Sequence, residues 1–158
     1  MPEEQRTIEA RKKALALLEI RDRTTKELRE RLLRCGYSQE EAEDALRYAA
    51  SFGYVDDLRY AENYILWRKD EKSQKKIFTD LYTKGISRET MEQAWEEAAG
   101  DDHEESSMIE KEILKKYPAG SSLTPKQMRS LQGSLARKGF RYEDITDALS
   151  RCEISVEW

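Results

Sequence analysis

The side chains that could do covalent or metal chemistry are few in this chain, and their spacing suits neither. The only histidine, His103, lies in the run Asp-Asp-His-Glu-Glu-Ser. A metal site or an acid–base relay needs a second ligand or an orienting partner at defined spacing, and no other His and no paired Cys supplies one. His103 therefore reads as part of an exposed linker. Cys35 and Cys152 fit neither a metal-ligand spacing nor a disulfide framework, so both are expected as reduced thiols. Asp56-Asp57 could form a carboxylate dyad, but two acids just ahead of an apolar helical pattern read as a helix N-cap pair. No Gly-rich phosphate loop and no nucleophile elbow is present. The expectation is a protein that is not an enzyme and carries no metal or cofactor.

Charge is what this sequence has in abundance. Charged residues make up 38% of the chain, against roughly a quarter in an ordinary globular domain. The net charge of −4 argues against a simple DNA coat, which would be basic. The charges are, however, sorted along the chain. From residue 25 to 37, Lys26, Arg29, Arg31 and Arg34 outnumber Glu27 and Glu30; from 73 to 86, Lys75, Lys76 and Lys84 face Asp80. From 124 to 141, Lys126, Arg129, Arg137, Lys138 and Arg141 have no acid among them. The segments that follow are acidic. Glu40, Glu41, Glu43 and Asp44 stand against Arg47, Glu89, Glu92, Glu96 and Glu97 against Arg88, and Glu143, Asp144, Asp147 and Glu153 against Arg151.

Helix dipoles explain part of this, since acids favour helix N-termini and bases favour C-termini. They account for Glu40 and Glu41 better than for the acid-free segment. The remaining reading is a two-sided contact, with basic segments toward phosphates and acidic ones toward a basic protein surface. The twelve bases of the three basic segments, Lys26, Arg29, Arg31, Arg34, Lys75, Lys76, Lys84, Lys126, Arg129, Arg137, Lys138 and Arg141, are the candidate DNA or filament contacts. Glu40, Glu41, Asp44, Glu89, Glu92, Glu96, Glu143 and Asp147 are the candidate protein contacts. Tyr48, Tyr82 and Tyr142 could be contact or core residues.

The elements that position these residues form a repeat. ELRERLLRCGYSQEEAEDAL from Glu27, KIFTDLYTKGISRETMEQAW from Lys76 and SLQGSLARKGFRYEDITDAL from Ser130 align without gaps. Leu28, Ile77 and Leu131 match, and four residues on so do Leu32, Leu81 and Leu135, one face of a helix each time. Gly36, Gly85 and Gly139 follow as left-handed caps. A second helix then turns Ala42/Met91/Ile145, Ala45/Ala94/Ala148 and Leu46/Trp95/Leu149 inward. Thr24 with Glu27, Ser38 with Glu41, and Thr124 with Gln127 form capping boxes, Pro125 suits the first helical position, and Ser87 can cap alone.

A further amphipathic helix precedes each pair. The first runs from Ile8 to Arg21 with Ala14, Leu15 and Leu18 inward. The second follows Asp57 with Tyr60, Ala61, Tyr64, Ile65 and Trp67, and the third covers Ser107 to Tyr117 with Met108, Ile109, Ile113 and Leu114. The unit is thus three helices, repeated over residues 1–53, 54–100 and 101–158, with joints at Phe52-Gly53-Tyr54 and Ala99-Gly100-Asp101-Asp102. A unit this small has a marginal core, so neighbours must stack.

A helix-turn-helix reading would put Ser38-Gln-Glu-Glu, Ser87-Arg-Glu-Thr and Arg141-Tyr-Glu-Asp at the reading end of its recognition helix. Carboxylates there repel phosphate, so sequence-specific readout is not expected. No apolar run is long enough to span a membrane and no signal pattern opens the chain, which together suggest a cytoplasmic location.

ALALLEIRDRTTKELRERLLRCGYSQEEAEDAL (Ala14 to Leu46), FGYVDDLRYAENYI (Phe52 to Ile65) and LYTKGISRETMEQAW (Leu81 to Trp95) together resemble the RecX family. The order and spacing of the three carry the resemblance over the first hundred residues, and the repeat extends it to the last third. One departure stands out: the family commonly has a glycine in the basic stretch between the first two helices of the middle unit, whereas Trp67 to Lys76 here has none. The resemblance implies an all-α fold of three tandem three-helix repeats stacked into an elongated curved rod. It implies a regulator of the RecA recombinase, lodged in the groove of the RecA filament on single-stranded DNA and limiting its extension, strand exchange and coprotease activity. RecA would be the partner, with single-stranded DNA met indirectly or weakly, by a monomer. The alternative is a helical protein–protein scaffold with no nucleic-acid role.

Overall fold

A computed structural model describes residues 3–100 and 104–157. The described chain is helical, in the order α1 Glu3–Ile20, α2 Thr25–Arg34, α3 Gln39–Ser51, α4 Asp57–Arg68, α5 Gln74–Thr83, α6 Arg88–Ala98, α7 Glu105–Lys116, α8 Pro125–Arg137 and α9 Tyr142–Arg151. Three successive triplets reproduce the repeat. Two short parallel strands, β1 Ser122–Leu123 and β2 Ser155–Val156, pair beside α8; two-residue strands are below what periodicity can reveal.

All three capping boxes form, with each hydroxyl accepting from the N3 amide and each N3 side chain accepting from the cap amide. Ser87 Oγ accepts from the Thr90 amide. Gly36, Gly85 and Gly139 close their turns at φ near +90° (96°, 90° and 92°). After each, the amide of Tyr37, Ile86 or Phe140 returns to Leu32, Leu81 or Leu135. The glycine-free turn after α4 needs no left-handed residue. The Glu71 and Lys72 amides both reach Arg68 O, and Arg68 pairs with Glu71 at 3.1 Å.

The chain divides into two compact units, 1–64 with 80–98 and 65–79 with 99–158. In the first, Ala10, Ala14, Leu17, Leu28, Leu32, Ala42, Ala45, Leu46, Ala49 and Val55 form one core, with Leu15 and Leu18 at its margin. In the second, Met108, Ile109, Ile113, Leu131, Leu135, Phe140, Ile145 and Leu149 form another, joined by Leu123, Cys152 and Ile154 beside the strands. Burial of this scale, about 25 cal/mol per Å² of apolar surface, outweighs any single polar contact described below.

Two apolar residues expected inward face solvent instead. Trp67 is 71% and Leu114 48% exposed. The buried stripe of α4 runs through Ala61 and Ile65, and the next position on it, three residues on, is Arg68 rather than Trp67. On α7, Met108, Ile109 and Ile113 share their buried face with Glu112, 7% exposed, which leaves Leu114 outside. In both helices a charged residue with a partner holds a position that hydrophobicity would assign to its neighbour.

Candidate interface on the charged helices

Successive repeats meet through the N-cap of one middle helix and the glycine turn of the next repeat. Thr24, fully buried, caps α2 and also donates its hydroxyl to Lys84 O at 2.6 Å. Ser73, 1% exposed, caps α5 and donates to Gly139 O at 2.9 Å, while its amide reaches Lys138 O at 3.1 Å. A hydroxyl suits this place because it can accept from its own helix and donate outward at once. Each joint lies within one compact unit. The close approach explains two of the glycines: a methyl on Gly85 would overlap the Lys26 side chain, and one on Gly139 would overlap Ser73 and Lys76. Gly36 has open space around its α-carbon. Its carbonyl instead accepts from Arg6 of α1 at 2.8 Å.

In the first repeat the charges of α1 and α2 meet those of α3. Arg11 grips Asp44 through two bonds of 2.8 and 2.9 Å. Arg29 reaches Glu43 at 2.5 Å, and Arg6 reaches Glu41 at 3.1 Å. The hydrogen bonds from Arg11 and Arg29 hold the Asp44 and Glu43 carboxyls below their usual range against the opposing effect of burial. Glu41 is also lowered, first by the Ser38 amide and then by Arg6. Of the candidate protein contacts here, Glu41 is buried and Asp44 half-buried, both engaged within the chain, while Glu40 is exposed. Among the bases, Lys26, Arg31 and Arg34 are exposed, with Lys26 Nζ 3.5 Å from Thr83 O.

In the middle repeat Lys75 is exposed, and Lys76 and Lys84 are half-buried. Lys84 lies over the rings of Tyr60 and Tyr64, 5.9 and 5.8 Å from their centroids. Glu89, Glu92 and Glu96 are exposed, with Glu92 held by Arg88 at 2.8 Å. Asp56 and Asp57 divide their duties. Asp56 caps α4 through the Arg59 amide, while Asp57 accepts from the amide and hydroxyl of Thr25.

The third repeat differs. On α8, Lys126, Arg129, Gly133 and Arg137 follow one another at spacings of three, four and four, and so share one face, opposite the buried Met128, Leu131 and Leu135. Lys126, Arg129 and Arg137 are exposed, and none pairs with a carboxylate among the described residues. The Arg137 guanidinium lies back along the helix, 3.2 Å from where a side chain at Gly133 would begin. Lys138 points elsewhere, to Glu112 at 2.6 Å. Burial pushes the Glu112 carboxyl up, but bonds from Lys138 and from Lys115, 2.9 Å away, outweigh it and hold it below its usual range. Arg141 stands 3.9 Å from Asp144, and Glu143 and Asp147 are exposed. Tyr82 and Tyr142 are exposed, at 75% and 72%, and Tyr48 is half-buried.

Arg6 and Arg11 were missed by sequence reasoning. Their signal was a basic spacing of five on the helix preceding α2, which only the fold places against α3. His103 lies outside the described residues. Among the described residues no cluster of His, Cys, Asp or Glu could hold a metal ion, and no helix is long and apolar enough to cross a membrane.

Fold and surface together define a helical-repeat protein that presents charged helix faces to solvent. Residues 10–48 match the first three-helix domain of RecX, and residues 56–94 match the second. The regulatory protein RecX of Vibrio vulnificus is 30% identical over 87% of this chain and 88% of its own length. That of Amycolatopsis mediterranei is 32% identical over 89% and 81%. The crystal structure of RecX from Lactobacillus salivarius superposes with a TM-score of 0.69 at 22% identity, covering 94% of this chain and 97% of that one, a likeness of fold. The chain belongs to the RecX family of regulatory proteins.

Proposed function

We propose that this protein regulates the RecA recombinase by binding in the groove of the RecA filament on single-stranded DNA. There it limits filament extension, strand exchange and coprotease activity. It acts by occupancy rather than catalysis, as a cytoplasmic monomer, through repeats spanning 1–53, 54–100 and 101–158. Family membership supports the reading, and the observation that carries it is the acid-free face of α8. Lys126, Arg129 and Arg137 point away from the core and pair with no carboxylate among the described residues, which fits the phosphates of a nucleoprotein filament. Lys75 and Arg141 are further exposed bases of the same unit, and Lys26, Arg31 and Arg34 are exposed bases of the other. Glu40, Glu89, Glu96, Glu143 and Asp147 remain exposed for basic protein surface.

The test is single-strand-dependent ATP hydrolysis by RecA with this protein titrated in. A fall in rate at substoichiometric protein is expected. Full activity at excess protein, with RecA from the same organism, would point to a scaffold without a nucleic-acid role.

A further inference from the structure

Beside the charged helices lies an aromatic cluster that neither the core nor the basic face uses. Phe52 and Tyr54 are 55% and 52% exposed, although they flank the joint between the first two repeats. Their rings stack, with centroids 5.5 Å apart and planes 21° apart, and Tyr48 meets Phe52 edge-on at 5.1 Å. The backbone fixes the stack. Gly53 is left-handed at φ 75°, its amide bonds Ala50 O, and the Tyr54 amide bonds Ala49 O. The rings on either side of Gly53 are thereby held in place before anything binds, so little ordering cost remains.

The surroundings select among possible occupants. Arg11 lies over Tyr48, 4.7 Å from the ring centroid. Arg59 donates one N–H to Gly53 O at 2.7 Å and keeps its other donors. Arg47 precedes Tyr48 on the exposed side of α3. Of the nearby acids, Asp44 and Arg11 offset each other, and Asp56 caps α4 through the Arg59 amide while staying exposed. Arg47 and Arg59, which pair with no carboxylate among the described residues, disfavour a cationic peptide and give an uncharged one no advantage. They suit a ligand with flat faces and a negative backbone.

We infer that Tyr48, Phe52 and Tyr54 form a base-stacking platform for single-stranded nucleic acid, with Arg47 and Arg59 holding the adjoining phosphates. A base stacks on the outward face of the Phe52–Tyr54 pair, since the pair is closed and admits nothing between its rings. Binding is tolerant of sequence, because every base presents a π face. The inference does not rest on the filament reading, because the measurements that decide it use oligonucleotides alone.

The test is fluorescence anisotropy of the full chain with labelled oligothymidylate and with an abasic strand of equal length. The unaltered protein is expected to prefer the strand that carries bases. Phe52→Leu with Tyr54→Leu keeps the surface apolar and removes the π faces. It should weaken oligothymidylate binding about tenfold or more and leave the abasic strand unaffected. Arg59→Gln should weaken both strands alike. Circular dichroism melting of each variant checks that the fold is intact. Equal affinity of the unaltered protein for the two strands would overturn the inference. So would a double variant that binds oligothymidylate as well as the parent does; if that variant also lost affinity for the recombinase filament, the rings would be a protein contact.

Discussion

The first and third repeats share three helices and a glycine turn, but their charges and their turns have opposite fates. In the first, Arg6, Arg11 and Arg29 meet Glu41, Asp44 and Glu43, and the Gly36 turn is closed by an arginine of its own repeat. In the third, the outward cations of α8 meet no carboxylate among the described residues, and the Gly139 turn is seated on the cap of α5. The first repeat thus pairs its charges and closes its glycine turn from within. The third leans on its neighbour through the turn and leaves one helix face charged. One template therefore makes both a self-paired surface and an unpaired charged face, depending on whether acids stand opposite the bases.

The largest expected effect is on the turns. Gly139→Ala forces a left-handed alanine and drives its methyl into Ser73 and Lys76. The cost should be about 2–4 kcal/mol. Gly36→Ala meets open space and carries only the backbone term, about 1–2 kcal/mol. Urea melts of the two variants measure both. Equal losses would mean that the seated turn contributes nothing beyond its φ angle.

Next comes the charged face. Reversing Lys126, Arg129 and Arg137 to Glu should weaken filament binding about 100-fold and make its salt dependence shallower by about 2 in log–log slope. Reversing Arg29 leaves that face untouched and should change binding little. Similar losses from both would mean that overall charge, rather than the α8 face, drives the association.

Much of this was legible in the sequence, and the exceptions share a cause. The glycines, the capping boxes and the apolar i, i+4 pairs are local signals, and each formed where expected. Trp67 and Leu114 were misplaced because local hydrophobicity cannot see that Glu112 finds partners that make its burial tolerable, or that half-buried Arg68 takes the place on the stripe with its guanidinium over the Trp67 ring. The sorting of charge was legible too, but not its pairing. Glu41 and Asp44 look as available as Glu143 and Asp147 until α1 is laid against α3. The hydrogen bonds from one repeat to the next were invisible for the same reason, since Thr24 and Ser73 read as ordinary caps until another repeat's carbonyl arrives.

Glu112 gives a smaller, pH-dependent contrast. Glu112→Gln leaves Lys138 facing a neutral amide and should cost about 1–2 kcal/mol, below the range for a fully buried pair because Lys138 is 31% exposed. Its folded pKa lies below the unfolded value, so the stabilisation is present above the unfolded pKa and is lost as pH falls through the folded one. Melting curves from neutral pH down through the carboxylate range should show the parent converging on Glu112→Gln. A gap that persists in acid would assign the loss to packing.

The smallest effect tests the self-sufficient first repeat. Arg29 and Glu43 are each about a third exposed, so solvent screens a pair whose geometry is nonetheless close. A double-mutant cycle of Arg29→Ala and Glu43→Ala should return a coupling of about 0.2–1 kcal/mol. Raising the salt should shrink it, because exposed charges are screened within about a Debye length. The same cycle on Arg137 and Asp147 should return none, since no ion pair joins them. A coupling there equal to that of Arg29 and Glu43 would mean that α8 is neutralised in solution after all, and the distinction between the self-paired first repeat and the charged third would fall with it.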